Sequence, residues 1–506
     1  MITHNRSGQN DPIAKSWKIG FSADILSREQ VVLIHEATLD LLKHTGIRVD
    51  HMEAADIYRD YGAEVSYGER YAIVKFPSYL VEDAIRWAAR PLIFYGRTPD
   101  KDFAAFQNHV GFSTFGECVK IIDPKTREIR DCVKEDLAGI TKVCDYMDEI
   151  AVVERACGSL DYPSEVQPLH NLEAMMKNTS KAIFIGAVNG VNCRKMIEMA
   201  CIASGSKDAF RRRPFLNIFV CPTSPLRLGK ECAAQIIEAA RGGAGIAIIP
   251  MALAGATSVV TLAGTVISHN AEVLAAIMLA QMVQKGARCT YCSMSTIMDL
   301  KHMISATGSP EQSMISAATV KMAQFYHLPS WIGAGLSDSM LPDAQAGCEF
   351  GINALNGALS GANIVYGAGS LEAALTIDYA KLVLDCEGMS YIRKILGGIE
   401  VTKETMALDI IHKAGPGGEF LYQKHTFDHM RSHSQVEVFT RSTRSAWTAA
   451  GAKDAADMAY DKAARILNTH QVAPLIPGAE EAIAKLIADF ERELGLRTSI
   501  QEREEE

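Results

Sequence analysis

Two carboxylates and two hydroxyls fall within Ser337-Asp338-Ser339-Met340-Leu341-Pro342-Asp343, bounded by Gly333, Gly335 and Gly347. The segment follows an apolar run, Pro329–Ile332, and precedes a helix-like run, Cys348–Leu355. A strand, a loop of small and acidic residues, then a helix is how a parallel α/β protein builds one wall of a site. The plainer reading is a βα-loop whose glycines turn the chain and whose Asp343 caps a helix. Other apolar runs end in Phe115 and Glu117, in Ser159, in Asn189, in Thr223 and Ser224, in Ser293 and Ser295, and in Tyr366 and Gly367. No lysine or arginine stands at such an end, which argues against a Schiff-base aldolase. No His/Cys cluster stands there either, which argues against zinc. A small, hydroxylic, mildly acidic site suits a cation that needs no proton transfer, because carboxylates supply charge and aromatic faces attract quaternary ammonium groups. The expected substrate-binding set is Phe115, Glu117, Asn189, Thr223, His269, Ser295, Asp338 and Tyr366. No residue is assigned a catalytic role. Each aromatic also reads as packing, Phe219 and Tyr291 most of all because they lie inside their runs. His269, with Asn270 and Glu272, equally reads as a helix start.

These residues need a scaffold that brings strand ends together. From about residue 110 the chain alternates apolar runs with helical periodicity: Val110–Gly116, Ala151–Ser159, Ala182–Asn189, Phe215–Val220, Gly245–Pro250, Arg288–Cys292, Pro329–Ile332 and Asn363–Gly367. Eight βα units in succession, with strands apolar on both faces, predict an α/β fold, a (β/α)8 TIM barrel, over 110–398. An open doubly wound sheet is the runner-up. Residues 1–109 predict an α+β cap. Val31, Ile34 and Leu41 recur at helical spacing, and Ser27 with Gln30 spells a capping box. Residues 399–506 predict a helical region packed on the barrel, broken by Gly415-Pro416-Gly417-Gly418. Residues 1 to about 20 are expected to be loose or wrapped on a partner subunit, and the end Gln501–Glu506 to be a frayed, solvated terminus.

A net charge of −9 argues against nucleic-acid binding. The longest apolar stretch, Ala271–Val283, is short for a membrane span and carries Glu272 and Gln281. The N-terminus lacks the apolar region of a signal peptide, so a cytoplasmic protein is expected. The 12 cysteines have no disulfide-scaffold spacing. Cys289-Thr290-Tyr291-Cys292 lies in a predicted strand, where residues three apart face opposite sides, so it is a poor metal clip and no bound metal is expected.

The chain resembles the trimethylamine methyltransferase family of corrinoid-dependent methyltransferases over nearly its whole length. The resemblance rests on Gly333–Gly347 with Ser337-Asp338 and Pro342-Asp343-Ala344-Gln345, on His269-Asn270-Ala271-Glu272, and on Gly415–Leu421 with His425-Thr426. It implies a (β/α)8 barrel that passes a methyl group from a methylamine to the cobalt of a separate corrinoid protein. The trimethylamine enzymes carry pyrrolysine in the loop that resembles Gly333–Gly347. This chain has only standard residues there, and none of Leu336 to Met340 inherits that role. The departure points to the branch without pyrrolysine, whose substrates are quaternary amines such as glycine betaine, proline betaine or carnitine. Glycine betaine, the smallest, is the expectation. No D-x-H-x-x-G cobalamin element is present, so cobalamin is expected on the cognate corrinoid protein. A homo-oligomer is expected as well.

Two other classes stay open on the residues alone. One is a barrel lyase or hydrolase using Glu117 and Asp338 as acid and base. The other is a non-catalytic betaine-binding protein.

Overall fold

Eight short parallel strands carry the architecture: β1 His109–Thr114, β2 Val153–Glu154, β3 Ile183–Gly186, β4 Leu216–Val220, β5 Gly245–Ile248, β6 Cys289–Ser293, β7 Ser330–Gly333 and β8 Ile364–Ala368. The computed structural model describes residues 23–106 and 109–496, with the backbone of Trp17–Lys18. The expectations for the remaining N-terminal residues and for Gln501–Glu506 fall outside the described residues. Ladders join β2 to β3 and onward through β8, and β8 returns to β1. The circle closes between β1 and β2 through the parallel bridge of Phe112 with Ile150 and the bond from Ala151 N to Phe112 O at 2.8 Å. The strands are buried on nearly every residue, as runs apolar on both faces require. The second run differs from expectation. Only Val153–Glu154 belongs to the barrel wall, whereas Cys157 bridges Cys118 in the loop after β1. The chain stays extended but leaves the barrel, so the strand ends at Glu154 and not at Ser159.

The helices that follow the strands are α1 Lys134–Tyr146, α2 Gln167–Asn178, α3 Gly190–Ala203, α4 Lys230–Gly242, α5 Leu262–Val283, α6 Pro310–Phe325, α7 Ala344–Leu359 and α8 Tyr379–Leu396. Helix α5, at 22 residues, is longer than its apolar run suggested. By length and composition it could cross a bilayer, but it is a core helix, with 72% of its apolar window buried. The cap explains this. Helices Arg28–His44 and Ser78–Trp87 cover the outer face of α5, and Tyr58 Oη donates to Ala275 O at 2.8 Å. The Ser27–Gln30 capping box starts the first of these helices. The cap sheet also takes a strand from the barrel: Arg227–Leu228, in the loop after β4, pairs in parallel with Ile47–Val49. On the other side, Ala455–Thr469 packs on α8 and α1, and Ala479–Glu493 packs on α3 and α2.

Candidate active site

At the C-terminal ends of the strands lies a cavity of about 600 Å³, in the range that encloses a small ligand. Its wall draws on β1 and its exit (Phe115, Gly116, Glu117), β2 (Glu154, Arg155), β4 and its loop (Phe219, Cys221, Thr223, Arg227), the start of α4 (Lys230) and β8 (Tyr366). Phe115 and Tyr366 stack with ring centroids 6.1 Å apart and planes inclined by 17°. Trp331 lies behind them, 6.1 Å from Tyr366 and 5.5 Å from Phe219. One side of the cavity is therefore aromatic, which is the surface a quaternary ammonium group selects.

Glu154 stands among these rings. It is buried, and its Oε2 has no hydrogen-bond partner, nor do Trp331 Nε1 and Tyr366 Oη. Burial pushes its carboxyl well above the usual carboxylate range; the Glu117 charge adds to this, while the Arg155 charge opposes it. Gly116 makes the room, since a Cβ there would lie 2.4 Å from Glu154 Oε1. Three unpartnered buried polar atoms beside a cavity mark a place that a polar or charged ligand completes. Arg155 faces the same space. It pairs with Glu117 at 2.7 Å, but the Glu117 side chain is 63% exposed and the Arg155 Nε is unpartnered. Glu117 is held at φ 83°, a left-handed backbone that turns the chain out of β1 toward Arg155. Arg227 and Lys230 line the same cavity, as do Asp50 and Glu231, with Arg227 tied to Asp50 of the cap at 2.5 Å.

Of the expected set, Phe115, Glu117, Thr223 and Tyr366 come together on this wall. The other four lie elsewhere, each for a physical reason. Asn189 is the N-cap of α3, its Oδ1 accepting from Asn192 N at 2.9 Å. Asp338 accepts from Thr307 N and Thr307 Oγ1 at 2.8 and 2.9 Å, so its carboxylate is spent on the neighbouring loop. Ser295 Oγ accepts from Ala252 N at 3.1 Å and lies 3.2 Å from His269 Nδ1. His269 is fully enclosed, and burial pushes its pKa down to about 3, so the ring is neutral. The Gly333–Gly347 loop is likewise a structural strap. Glu349 on α7 accepts from Ser337 Oγ and Asp338 N, and Asp343 caps α7.

His269-Asn270-Ala271-Glu272 braces the site from behind. Glu272 accepts from Ser224 Oγ and Leu226 N, both at 2.8 Å, and so shapes the loop that delivers Thr223 and Arg227. Burial raises its carboxyl to about 7. Asn270 binds Thr38 Oγ1 and Tyr326 Oη and accepts from Tyr291 Oη, which turns Tyr291 away from the barrel mouth.

Sequence reading missed Glu154, Arg155, Cys221, Arg227, Lys230 and Trp331. It also excluded arginine from the strand ends, and Arg155 corrects that. The available signal was an adjacent Glu-Arg pair directly after Val152-Val153, charged residues where a doubly buried strand has none to spare. Cys289 and Cys292 serve opposite faces, one beside Gln281 of α5 and one beside Glu154. Among the described residues no group of three His, Cys, Asp or Glu side chains could hold a metal ion.

The family model described as trimethylamine methyltransferase (MTTB) matches residues 5–495. The trimethylamine methyltransferase MttB of Desulfitobacterium hafniense is 43% identical over 481 residues, covering 95% of this chain and 97% of the relative. The glycine betaine methyltransferase of the same species, strain Y51, is 29% identical over 476 residues, covering 93% and 98%. The crystal structure of the Methanosarcina barkeri monomethylamine methyltransferase (MtmB) superposes with a TM-score of 0.51 at 12% identity, over 90% of each chain, which is a likeness of fold. The chain belongs to the trimethylamine methyltransferase family and is an amine methyltransferase.

Proposed function

We propose that this enzyme moves a methyl group from a quaternary amine bearing a carboxylate, with glycine betaine as the preferred substrate, to the cob(I)alamin of a separate corrinoid protein. The observation that carries the proposal is one cavity whose wall holds a buried carboxyl among aromatic rings together with the basic side chains Arg155, Arg227 and Lys230. The cationic head fits between Phe115, Tyr366 and Glu154. The tail fits toward Arg155, Arg227 and Lys230. The acceptor is far larger than a betaine, so it meets the substrate from outside the barrel mouth.

Cob(I)alamin on the docked corrinoid protein would supply a strong nucleophile for the methyl carbon. A quaternary nitrogen leaves as a neutral tertiary amine, so no general acid is needed. The protein's part is orientation and replacement of water around the cation by fixed groups. Charge disappears from nitrogen as the methyl departs, so a permanently anionic pocket would hold the ground state too tightly. Glu154 answers this. Its burial makes the ionised form costly unless a cation is beside it. Once the methyl has left, the fixed cation that favoured the ionised carboxylate is gone.

The test is a panel of glycine betaine, proline betaine, carnitine, choline and trimethylamine, each mixed with enzyme and cob(I)alamin. Conversion to methylcobalamin is followed in the visible spectrum. Glycine betaine should react fastest. A tenfold lead for another betaine overturns the substrate, a lead for trimethylamine overturns the quaternary-amine reading, and amine release without cobalamin overturns the acceptor.

A further inference from the structure

Arg155 meets the cavity with its donors only half used. The Nε–H and the Nη2 amino group of a guanidinium form one fork, which a carboxylate can fill with both oxygens. Here Glu117 Oε1 lies 2.7 Å from Arg155 Nη2, while the buried Nε has no partner. The seat of the Glu117 carboxylate is nevertheless built. Gly186 of β3 leaves the room, since a Cβ there would lie 2.9 Å from Glu117 Oε1. The two backbones are tied, Glu117 N donating to Arg155 O at 3.0 Å and Cys118 N to Ala156 O at 3.2 Å. The carboxylate can therefore leave by side-chain rotation alone. The Glu117 side chain is 63% exposed, so it leaves into water, whereas the Arg155 side chain, 11% exposed, stays against the cavity.

Of the two arginines on this wall, only Arg155 has so removable a partner. Arg227 is held by Asp50, whose side chain is 9% exposed and pairs at the same time with Arg48 at 2.7 Å. A ligand carboxylate that fills both arms of the Arg155 fork makes two charged hydrogen bonds, where Glu117 engages one arm.

We propose that Glu117 is a stand-in for the substrate's carboxylate: it holds Arg155 in the empty site, yields the fork to the incoming tail, and returns to it as the demethylated product departs. This rests on the reading that the tail lies at Arg155. Loss of a methyl group leaves the tail unchanged, so the fork would hold substrate and product alike. A competitor within the site loosens both and speeds the exchange of one for the other. A cation that lacks a carboxylate leaves the Glu117–Arg155 pair intact.

Isothermal titration of the full-length chain with glycine betaine, N,N-dimethylglycine and choline tests this, on the wild type, Glu117→Gln, Glu117→Asp and Arg155→Ala. The measure is the affinity for each carboxylate ligand relative to choline, because the effect of Glu117 on Glu154 reaches betaine and choline through the same ammonium head. Glu117→Gln should raise that ratio about fivefold for glycine betaine and dimethylglycine, the upper end for an ion pair with an exposed partner. Glu117→Asp keeps the charge but is one methylene too short for Nη2, and should raise the ratio as much. Should Glu117→Gln not fold, Glu117→Asp decides alone. With Arg155→Ala losing glycine betaine selectively, an unchanged or lowered ratio in Glu117→Gln overturns the inference and leaves the tail reading standing. So does a gain in Glu117→Gln that Glu117→Asp does not share, since the charge would then act at a distance and not by occupying the fork. Equal losses of glycine betaine and choline in Arg155→Ala overturn the tail reading, and this inference with it.

Discussion

Replacing Glu154 by Gln separates a charge from a shape. In the empty site burial holds the Glu154 carboxyl well above the usual range, so glutamine imitates the protonated form without disturbing the fold. A quaternary ammonium about 4 Å away interacts with an ionised carboxylate by roughly 4 kcal/mol at an effective dielectric constant near 20. That attraction lowers the carboxyl pKa in the complex. Binding below the empty-site pKa therefore releases close to one proton, and affinity rises about tenfold per pH unit until that pKa is passed. Above it, the wild type should bind more tightly than Glu154→Gln by up to about a thousandfold, the full charge–charge attraction of roughly 4 kcal/mol. At low pH the two proteins should bind alike. Isothermal titration with glycine betaine, across the neutral pH range and in two buffers of different ionisation enthalpy, counts the proton directly. Wild-type binding that is flat with pH and releases no proton would falsify the role given to Glu154; so would an unchanged pH dependence in the variant.

Three further outcomes follow from the same geometry. Arg155→Ala should weaken glycine betaine binding about tenfold while leaving choline, which has no carboxylate, within twofold; equal losses would place Arg155 outside the tail site. Phe115→Ala removes one face of the stacked pair and should raise KM for quaternary amines by about two- to thirtyfold, from ~0.5–2 kcal/mol of cation–π attraction. A neutral tert-butyl isostere of betaine used as an inhibitor should lose less. Glu272 has a folded-state pKa of about 7 against an ordinary 4.5, so the folded chain binds the extra proton between those values. Its contribution is fully present below pH 4.5 and is lost as pH rises through 7, by about 3 kcal/mol in all. Denaturation of Glu272→Gln should show a correspondingly flatter stability–pH curve over that window, and a curve parallel to the wild type would show that Glu272 is not the titrating group.

The architecture was legible because it rests on local signals. Apolar runs of four to six residues alternating with helical periodicity leave few choices for a chain of this length, and the doubly buried barrel strands announce themselves by lacking alternation. The Ser27–Gln30 capping box and the helix-capping role of Asp343 were readable for the same reason, since a cap is made by residues three apart. Strand ends are a different matter. Whether an extended segment stays in the barrel depends on which neighbour accepts its hydrogen bonds. The second run could not reveal that it turns toward Cys118 after Glu154, and with that register went the buried carboxyl. Direction was equally hidden. Asp338 and His269 have residue types as suited to a site as Glu154 has, and only the partners that fold against them, Thr307 and Ser295, withdraw them from it. The residue types present at the barrel mouth were thus a property of the sequence. Which of them face the cavity, and which are consumed in holding the wall, was decided by contacts between residues far apart in the chain, as where the cap's Asp50 holds Arg227 beside the site.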